Sequence, residues 1–352
     1  MGIILTAGII AGLSLLIIIH EAGHFIVGKL LGFYIKEFGI GYPPRIFSKT
    51  IKETVYSVNW IIFGGFVRFF DSKYENDPDA DESRSFSRQS ILKRFLMVSA
   101  GIVINFLAGW ILFSFVFMVG VPESLLVTGV KENSAAMQSG IEVGDQIMDF
   151  SARGGSSSGG RKVADLSAFL ERNKGQEVVI KIKRAGVEQS VPAFSPVEVE
   201  NGEGRLGVYL NEIGVKKFGF FRSFWEGLVV SVNSVVFGVI GFIKVIAMAF
   251  TDIKALGSVV GPVGIASMAI QTSKLGFVYF MQVMAMISLG LAAFNIFPIP
   301  SLDGGRLLFL LVEKIKGSPL SLKTEMYIFG SSFIFLFIVA LLVTVKDIVA
   351  LF

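Results

Sequence analysis

The chain has 352 residues, of which 53% are hydrophobic and only 17% are charged; this balance excludes an ordinary soluble protein and indicates a membrane protein. It contains no cysteine, which excludes disulfide bonds and thiolate metal ligands. A net charge of +4 is typical of the loop charges that orient a membrane protein, so it gives no reason to expect a nucleic-acid partner.

The first apolar segment, residues 3–19, runs directly into His20-Glu21-Ala22-Gly23-His24, which holds both histidines of the chain. Together these residues are long enough to span a bilayer, which takes about 20 residues. The segment has neither a positively charged start nor a small-residue cleavage site. We therefore expect a retained transmembrane helix and not a secretory signal.

The two histidines lie four positions apart, so in a helix both imidazoles face the same side and can bind one metal ion. Glu21 lies close to that face and can take a proton from attacking water and return it to a leaving amine. Zinc is the metal that suits these ligands in a hydrolase. A chance motif is the alternative, but an ionisable group at membrane depth costs roughly 2.5–3.5 kcal/mol and is rare without a function.

The polar segment 29–94 contains an apolar stretch, 54–70, with Gly64-Gly65 as a turn signal. This pattern predicts a membrane-associated β-hairpin over 54–70. Its alternation is imperfect, however, and residues 60–66 could instead form an aromatic anchor at the membrane interface. The acidic stretch that follows has few apolar residues and is predicted to be a loop.

The rest of the chain alternates between apolar and polar composition. Apolar segments at 95–119, 277–298 and 327–345 predict further transmembrane helices. Residues 121–215 are polar with short strand-like runs and predict an inserted soluble domain, which includes a Gly/Ser-rich loop at 152–162. The expected fold class is a polytopic α-helical membrane protein of about four transmembrane helices. Its expected parts are a first membrane half (1–120), the inserted domain (121–215), a connecting region (216–276) and a second membrane half (277–352).

A catalytic zinc site has three protein ligands and one open position. Since the chain has no third histidine and no cysteine, the third ligand must be a carboxylate at a similar depth. Asp303 follows the apolar segment 277–298, with two prolines before it and two glycines after it. A helix broken in this way is tolerated in a membrane only inside protein or beside a wet cavity. This favours Asp303 as the ligand over a helix cap at the membrane edge.

The apolar run 224–250 is long enough to span a membrane, but polar residues such as Glu226 and Lys244 interrupt it. If it crossed, residues 251–276 would be cytoplasmic, the helix at 277–298 would run outward, and Asp303 would emerge on the face opposite His20. We therefore expect the run to lie along the outer surface or to pack against the core without crossing. A cysteine at Ser258 would then be reached by reagents from outside.

Five motifs occur in the order found in the site-2 protease family of intramembrane zinc metalloproteases, which the chain resembles. They are HEAGHF (20–25), FGGFVRF (63–69), GIVINF (101–106), GPVGI (261–265) and NIFPIPSLDGGRLL (295–308). The resemblance is closest to bacterial members that cut anti-sigma factors and signal-peptide remnants. It implies that zinc is the cofactor, with His20, His24 and Asp303 as ligands and Glu21 as the catalytic acid and base.

The resemblance also implies substrate-binding residues. Asn295 is expected near the scissile segment, or alternatively as a buried polar group that satisfies a helix break. The glycine motif, with Gly64, Gly65 and Phe66, is expected in a β-loop that holds an extended substrate, because a strand edge can replace the hydrogen bonds that an unwound helix loses.

Residues 133–150, NSAAMQSGIEVGDQIMDF, resemble the PDZ signature of bacterial envelope proteases, with RLGVYL (205–210) as a closing strand. PDZ domains bind an extended peptide at a sheet edge. The alternative is a PDZ fold that packs against the membrane core and binds no peptide. Some larger family members carry two such domains, whereas this chain has room for one.

Basic residues cluster after the first helix, before the second helix and after Asp303, which predicts cytoplasmic loops there. The active site is then expected toward the cytoplasmic side of a bacterial inner membrane, with the PDZ domain extracytoplasmic. The sequence predicts a protease that cuts membrane-spanning substrates in the lipid bilayer after a first protease has trimmed them. A membrane PDZ scaffold with a vestigial metal site and a transporter with a bound metal are the alternatives.

Overall fold

The order of elements follows the alternation of apolar and polar segments. The computed structural model describes residues 2–75, 77, 80–153, 155, 160–184, 186–194, 206–251 and 261–349. In chain order the elements are α1 (Gly2–Leu30), β1 (Ile35–Ile51), β2 (Thr54–Phe69), α2 (Ile91–Val119), β3 (Val121–Val130), α3 (Ala135–Gln138), β4 (Gln146–Ala152), α4 (Val163–Arg172), β5 (Glu177–Arg184), β6 (Val187–Phe194), β7 (Val208–Val215), α5 (Phe220–Thr251), α6 (Pro262–Ser273), α7 (Phe277–Ile296), α8 (Asp303–Lys316) and α9 (Leu322–Val349).

The chain divides into two compact units. One comprises Met1–Ser114, Phe224–Ser273 and Phe280–Phe352, and the other comprises Phe115–Ser223 and Lys274–Tyr279. The first unit contains the long apolar helices and the β1–β2 sheet. The second contains the five-stranded sheet formed by the polar insertion.

Five helices in the described part of the chain are long and apolar enough to cross a membrane: α1, α2, α5, α7 and α9. The expected number of about four is therefore corrected to five candidates. The additional one is α5, which contains the run 224–250. Its polar residues do not interrupt the helix, because a helix satisfies its backbone hydrogen bonds internally and long charged side chains can extend away from apolar surroundings.

Within the first unit, the helix α5 contacts α2 near its start and α7 further along. Near its start, Trp110 Nε1 donates to the Phe224 carbonyl at 2.8 Å. Further along, the ring of Phe242 packs on Phe294 and Phe297, with ring centroids 5.4 and 4.3 Å apart. Since Phe297 precedes Asp303 closely, α5 reaches the level of the loop that carries this carboxylate.

The helix α6, which lies in the predicted connecting region 216–276, belongs to the helical unit. Its residue Ala269 is buried with Ile9 and Met284 in one apolar cluster. The Gly261 and Gly264 amides donate to Asp347, near the end of α9, at 3.2 and 2.7 Å. A membrane-crossing α5 is therefore compatible with a site in which His20 and Asp303 lie together. Ser258 lies outside the described residues.

The strands β1 and β2 form an antiparallel pair that corrects the predicted hairpin. Residues 45–51 pair with 54–59, and residues 35–40 pair with 65–69. Residues 37–40 also pair with 55–58, so this part of β1 lies between two segments of β2. The turn lies at Lys52-Glu53, where Lys52 has a φ of +56°. The prediction of a hairpin over 54–70 that turns at Gly64-Gly65 is wrong, because these glycines lie inside β2.

The glycine pair serves close packing and not chain reversal. A Cβ at Gly64 would lie 3.0 Å from Ile17 Cγ2, and one at Gly65 would lie 2.8 Å from the Gly39 carbonyl oxygen. Glycine within a strand marks such a close approach. The two residues therefore let β2 lie directly against α1 and β1.

The second unit is an antiparallel sheet in the order β6-β5-β4-β3-β7. Leu125, Ile147, Ile180 and Leu166 are buried together between the sheet and α4. The expected closing strand is observed as β7, with Arg205 outside the described residues. Gly154 and residues 156–159 of the predicted Gly/Ser loop also lie outside them.

Candidate active site

The histidines of α1 are brought together by helical spacing. His20 and His24 are 8% and 7% exposed, and their Nε2 atoms lie 3.2 Å apart. Residues four apart in a helix share one face. Two buried imidazole nitrogens therefore point at the same small volume.

Asp303, the first residue of α8, completes a triangle with the two imidazoles. Its Oδ2 atom lies 3.1 Å from His20 Nε2 and 3.3 Å from His24 Nε2. The chain must reverse tightly after α7 to place it there. A Cβ at Gly304 would lie 2.3 Å from the Ile296 carbonyl oxygen, and one at Gly305 would lie 2.1 Å from that of Ile299. Only glycine fits at these two positions, which explains the Asp-Gly-Gly sequence.

The three side chains fit a tetrahedral metal ion. Ligand atoms about 2.0–2.1 Å from a tetrahedral ion lie roughly 3.3–3.4 Å from one another. The observed separations of 3.1, 3.2 and 3.3 Å match this spacing. Asp303 Oδ2 is also buried without a hydrogen-bond partner, and a cation at the centre of the triangle would satisfy it. Among the described residues, this is the group of histidine and acidic side chains that can hold a metal.

Hydrogen-bond partners behind His20 and His24 set the orientation of the two imidazoles. His24 Nδ1 lies 2.9 Å from the Met97 carbonyl oxygen, so Nδ1 carries the proton and the Nε2 lone pair faces the site. His20 Nδ1 lies 3.1 Å from the amide group of Asn105. The nearest amide atom is Nδ2, and Oδ1 is buried without a hydrogen-bond partner. With the amide turned so that Oδ1 faces His20, it accepts a hydrogen bond from the Nδ1 N–H and directs the second Nε2 lone pair to the site. Sequence reasoning gave Asn105 no role, although the GIVINF motif contains it.

Gly101 of α2 is a second residue that sequence reasoning left without a role. A Cβ at this position would lie 2.4 Å from His24 Nε2 and 2.5 Å from His20 Cε1. Such contacts are closer than van der Waals packing allows. Gly101 therefore keeps open the space in front of the imidazole nitrogens, and the motif GIVINF was its only signal.

Glu21 lies on α1 between the two histidines and accepts a hydrogen bond from the β1–β2 sheet. The Val67 amide of β2 donates to Glu21 Oε2 at 3.1 Å. One more contact fixes β2 along α1, since the Gly64 amide donates to Ser14 Oγ at 2.8 Å. Glu21, the strand β2 and the cluster of His20, His24 and Asp303 thus lie together within the first unit.

The predicted substrate-binding residues differ in their positions. Gly64 and Gly65 lie against α1, as described above, next to the strand residue that contacts Glu21. The Phe66 ring stacks on Tyr42 with ring centroids 6.1 Å apart, so it packs within the sheet. Asn295 Nδ2 donates to the Leu291 carbonyl oxygen at 3.0 Å. In the described structure, no hydrogen bond joins Asn295 to His20, His24 or Asp303.

Comparison with known proteins identifies the family. Residues 8–339 match the family model described as Peptidase family M50. The chain is 32% identical to a Clostridium perfringens protein named a putative zinc metalloprotease, over 96% of each chain. It is 29% identical to the Arabidopsis thaliana protein named Membrane metalloprotease ARASP, chloroplastic, over 97% of this chain and 78% of that one. A Brucella suis protein, also named a putative zinc metalloprotease, is 30% identical over 88% of this chain and 86% of that one.

These matches span α1, the sheet, α2, α7 and α8, which are the elements that build the cluster. They confirm the predicted enzyme class and the predicted cofactor. The chain belongs to Peptidase family M50, the site-2 protease family, and is a zinc-dependent membrane metalloprotease.

Proposed function

We propose that His20, His24 and Asp303 hold the zinc ion and that Glu21 is the catalytic acid and base. The observation that carries this proposal is the triangle of ligand atoms, 3.1 to 3.3 Å on each side, with Glu21 on the same helix. Zinc, when bound, supplies a Lewis acid that polarises the peptide carbonyl and activates water. Glu21 accepts the proton from the attacking water and delivers it to the departing amine.

The open edge of β2 binds the substrate in an extended form. A transmembrane helix hides its peptide bonds in its own hydrogen bonds, so the scissile segment must unwind and find replacement partners. The segment 65–69 of β2 pairs with 35–40 of β1, and its Val67 amide donates to Glu21, so the other side of this segment faces the proposed reaction centre and has no strand partner among the described residues. Strand addition here would place a peptide bond beside Glu21.

The substrates are membrane-spanning proteins of the anti-sigma-factor or signal-peptide-remnant type, cut in the second step of regulated intramembrane proteolysis. The basic loops support an active site toward the cytoplasm of a bacterial inner membrane. Arg94 pairs with Glu313 at 2.6 Å, and Lys73 pairs with Glu325. The basic segment that precedes and begins α2 therefore contacts the segment that runs from α8 into α9, at one end of the helical unit.

The second unit acts as an extracytoplasmic PDZ domain that binds a peptide or a substrate segment. Its edge strands are β6 and β7, and exposed strand edges can add a peptide strand. Buried Asp145 accepts two hydrogen bonds from Arg184, both 2.7 Å long, and so fixes the turn within the PDZ-like sequence 133–150. A scaffold with a vestigial metal site is disfavoured, because the ligand set and Glu21 are both intact.

Purified protein in liposomes with a model transmembrane substrate tests this function. We expect cleavage that stops on chelation and returns on adding zinc. The variant Glu21→Gln should keep its zinc and fold but lose at least about 100-fold in kcat, because an amide cannot take up the proton. The variant Asp303→Ala should lose zinc, because two protein ligands remain. Wild-type turnover by Glu21→Gln would overturn the role of Glu21, and full zinc content in Asp303→Ala would overturn that ligand.

A further inference from the structure

A cavity of about 680 Å³ lies in the first unit where the end of β2 meets α8 and α9. Its walls include Val67, Arg68 and Phe69 of β2, Arg306 and Phe309 of α8, and Phe329 of α9. The cavity has the size of a site that holds several side chains of a ligand. It is therefore large enough to bind part of a substrate chain.

The cavity continues along the strand edge that contacts Glu21. The Val67 amide donates a hydrogen bond to Glu21. Val67 and the next two residues of β2 also line the cavity. A strand advances about 3.3 Å per residue. An extended chain that pairs with β2 at Val67 and continues along it therefore enters the cavity within about two to four residues.

The charges of the cavity single out Arg306. Of the other basic wall residues, Arg94 pairs with Glu313 at 2.6 Å, Arg68 pairs with Glu75 at 3.0 Å, and Lys73 pairs with Glu325. Arg306 packs over the Phe329 ring at 5.6 Å and makes no ion pair with the described residues.

Arg306 also lies close to the reaction centre. It follows Asp303 by three residues in α8, so the two share one helix face. Its side chain is exposed, which leaves the guanidinium accessible to a carboxylate. Guanidinium and carboxylate form bidentate pairs, which give geometric selection as well as energy.

We propose that this cavity is a specificity subsite for an acidic side chain of the substrate, with Arg306 pairing with its carboxylate. Phe309 and Phe329 contact the apolar part of the same segment. The proposal rests on the proposed proteolytic function and adds a substrate class: membrane proteins with Asp or Glu about two to four residues to one side of the scissile bond. The observation that favours a peptide over an anionic lipid is the continuity of the cavity wall with the β2 edge.

The test measures a charge preference within each enzyme variant, so a general loss of activity cancels. Model substrates carry Asp, Asn or Lys in turn at each of several positions around one cleavage site. They are assayed in liposomes of neutral lipid and of neutral lipid with added anionic phospholipid. The variants are wild type, Arg306→Gln and Arg306→Glu. Arg88→Glu is the control with the same change of charge as Arg306→Glu. Arg88 is exposed, pairs with Glu82 and is not a wall residue of the cavity.

We expect the wild type to cut the Asp substrate at least about 10-fold faster than the Lys substrate at one position, as kcat/KM. The variant Arg306→Gln should abolish this ratio, Arg306→Glu should invert it, and Arg88→Glu should leave it unchanged. An unaltered ratio in Arg306→Glu would overturn the subsite. Activity that depends on anionic lipid and not on substrate charge would also overturn it, in favour of a lipid site. Failure of the proteolytic function itself would be seen separately, as no cleavage of any substrate by the wild type.

Discussion

The proposed metal centre depends on residues that are not among its proposed ligands. The proposed ligands could be selected from the sequence because histidines four apart and a carboxylate after a broken helix have few other uses at membrane depth. Gly101 and Asn105 could not, since their roles depend on how α2 packs against α1. The Gly101 backbone lies where any side chain would meet the imidazoles, and only the tertiary structure shows this contact.

The variant Gly101→Ala should bind zinc at least about 10-fold more weakly, because its Cβ would lie 2.4 Å from His24 Nε2. Overpacking should also cost roughly 1–3 kcal/mol of stability. Gly290→Ala is the matched control, since this helical glycine has nothing within 4 Å of an added Cβ. Elemental zinc analysis and circular dichroism on both variants give the two readouts. Equal zinc content in both would show that the α1–α2 contact is looser than described.

The β1–β2 sheet shows where sequence patterns mislead at the scale of an element. Gly64-Gly65 has the composition of a turn, whereas the real turn, Lys52-Glu53, has no glycine and no proline. The turn is instead fixed by tertiary contacts: Glu53 accepts from Arg84 at 2.6 and 2.7 Å and from Lys29 at 2.7 Å. Arg84 also donates to the Gly32 carbonyl oxygen at 2.9 Å. Charged residues distant in sequence thus join the sheet to the end of α1, which local patterns do not show.

This charge cluster predicts a pH dependence of stability. Arg84, with a smaller contribution from Lys29, lowers the pKa of Glu53 from 4.5 to about 2. A carboxyl group with a lowered pKa in the folded state stabilises the protein fully above its unfolded pKa, and this contribution is lost as the pH falls toward the folded value. Glu53→Gln should therefore cost about 1 kcal/mol above about pH 5, a modest value because solvent screens the cluster.

Thermal unfolding of wild type and Glu53→Gln in detergent, from about pH 2 to pH 7, measures this dependence. The two melting temperatures should converge as the pH falls toward 2, and separate again above about pH 5. Glu82→Gln is the control, because its pair with Arg88 is exposed on both sides and contributes little at any pH. A constant separation between wild type and Glu53→Gln over the whole range would contradict a titrating ion pair.

At the scale of the whole molecule, the proposed PDZ domain is an insertion that the catalytic cluster does not use. Its first and last strands pair, and Ser124 lies opposite Ile213. Deleting 125–212 therefore leaves two ends that a short linker can join. We expect the deletion variant to keep its zinc and to cut a short, pre-trimmed substrate, but to discriminate less against full-length substrates. A folded, zinc-loaded deletion variant that cuts neither substrate would show that the insertion takes part in catalysis.

The topology of α5 is the remaining question at this scale, because the sequence favoured a helix that does not cross. The structure favours crossing: α5 lies beside α7, and Phe242 packs on Phe294 and Phe297, just before the loop that leads to Asp303. Residues after Phe242 in α5 should therefore lie on the same side of the membrane as the loop between α8 and α9. Since the chain has no cysteine, single-cysteine variants can report this directly.

The exposed residue Met248 is a suitable position, with Ser318→Cys as a reference for the α8–α9 loop and Lys174→Cys as a reference for the inserted unit. A membrane-impermeant thiol reagent added to intact cells should label Lys174→Cys and spare the other two. In inverted vesicles it should label Met248→Cys and Ser318→Cys. Labelling of Met248→Cys together with Lys174→Cys would instead show that α5 returns along the outer surface, and the five candidate spans would reduce to four. The test does not depend on enzyme activity, so it separates the topology from the catalytic proposal.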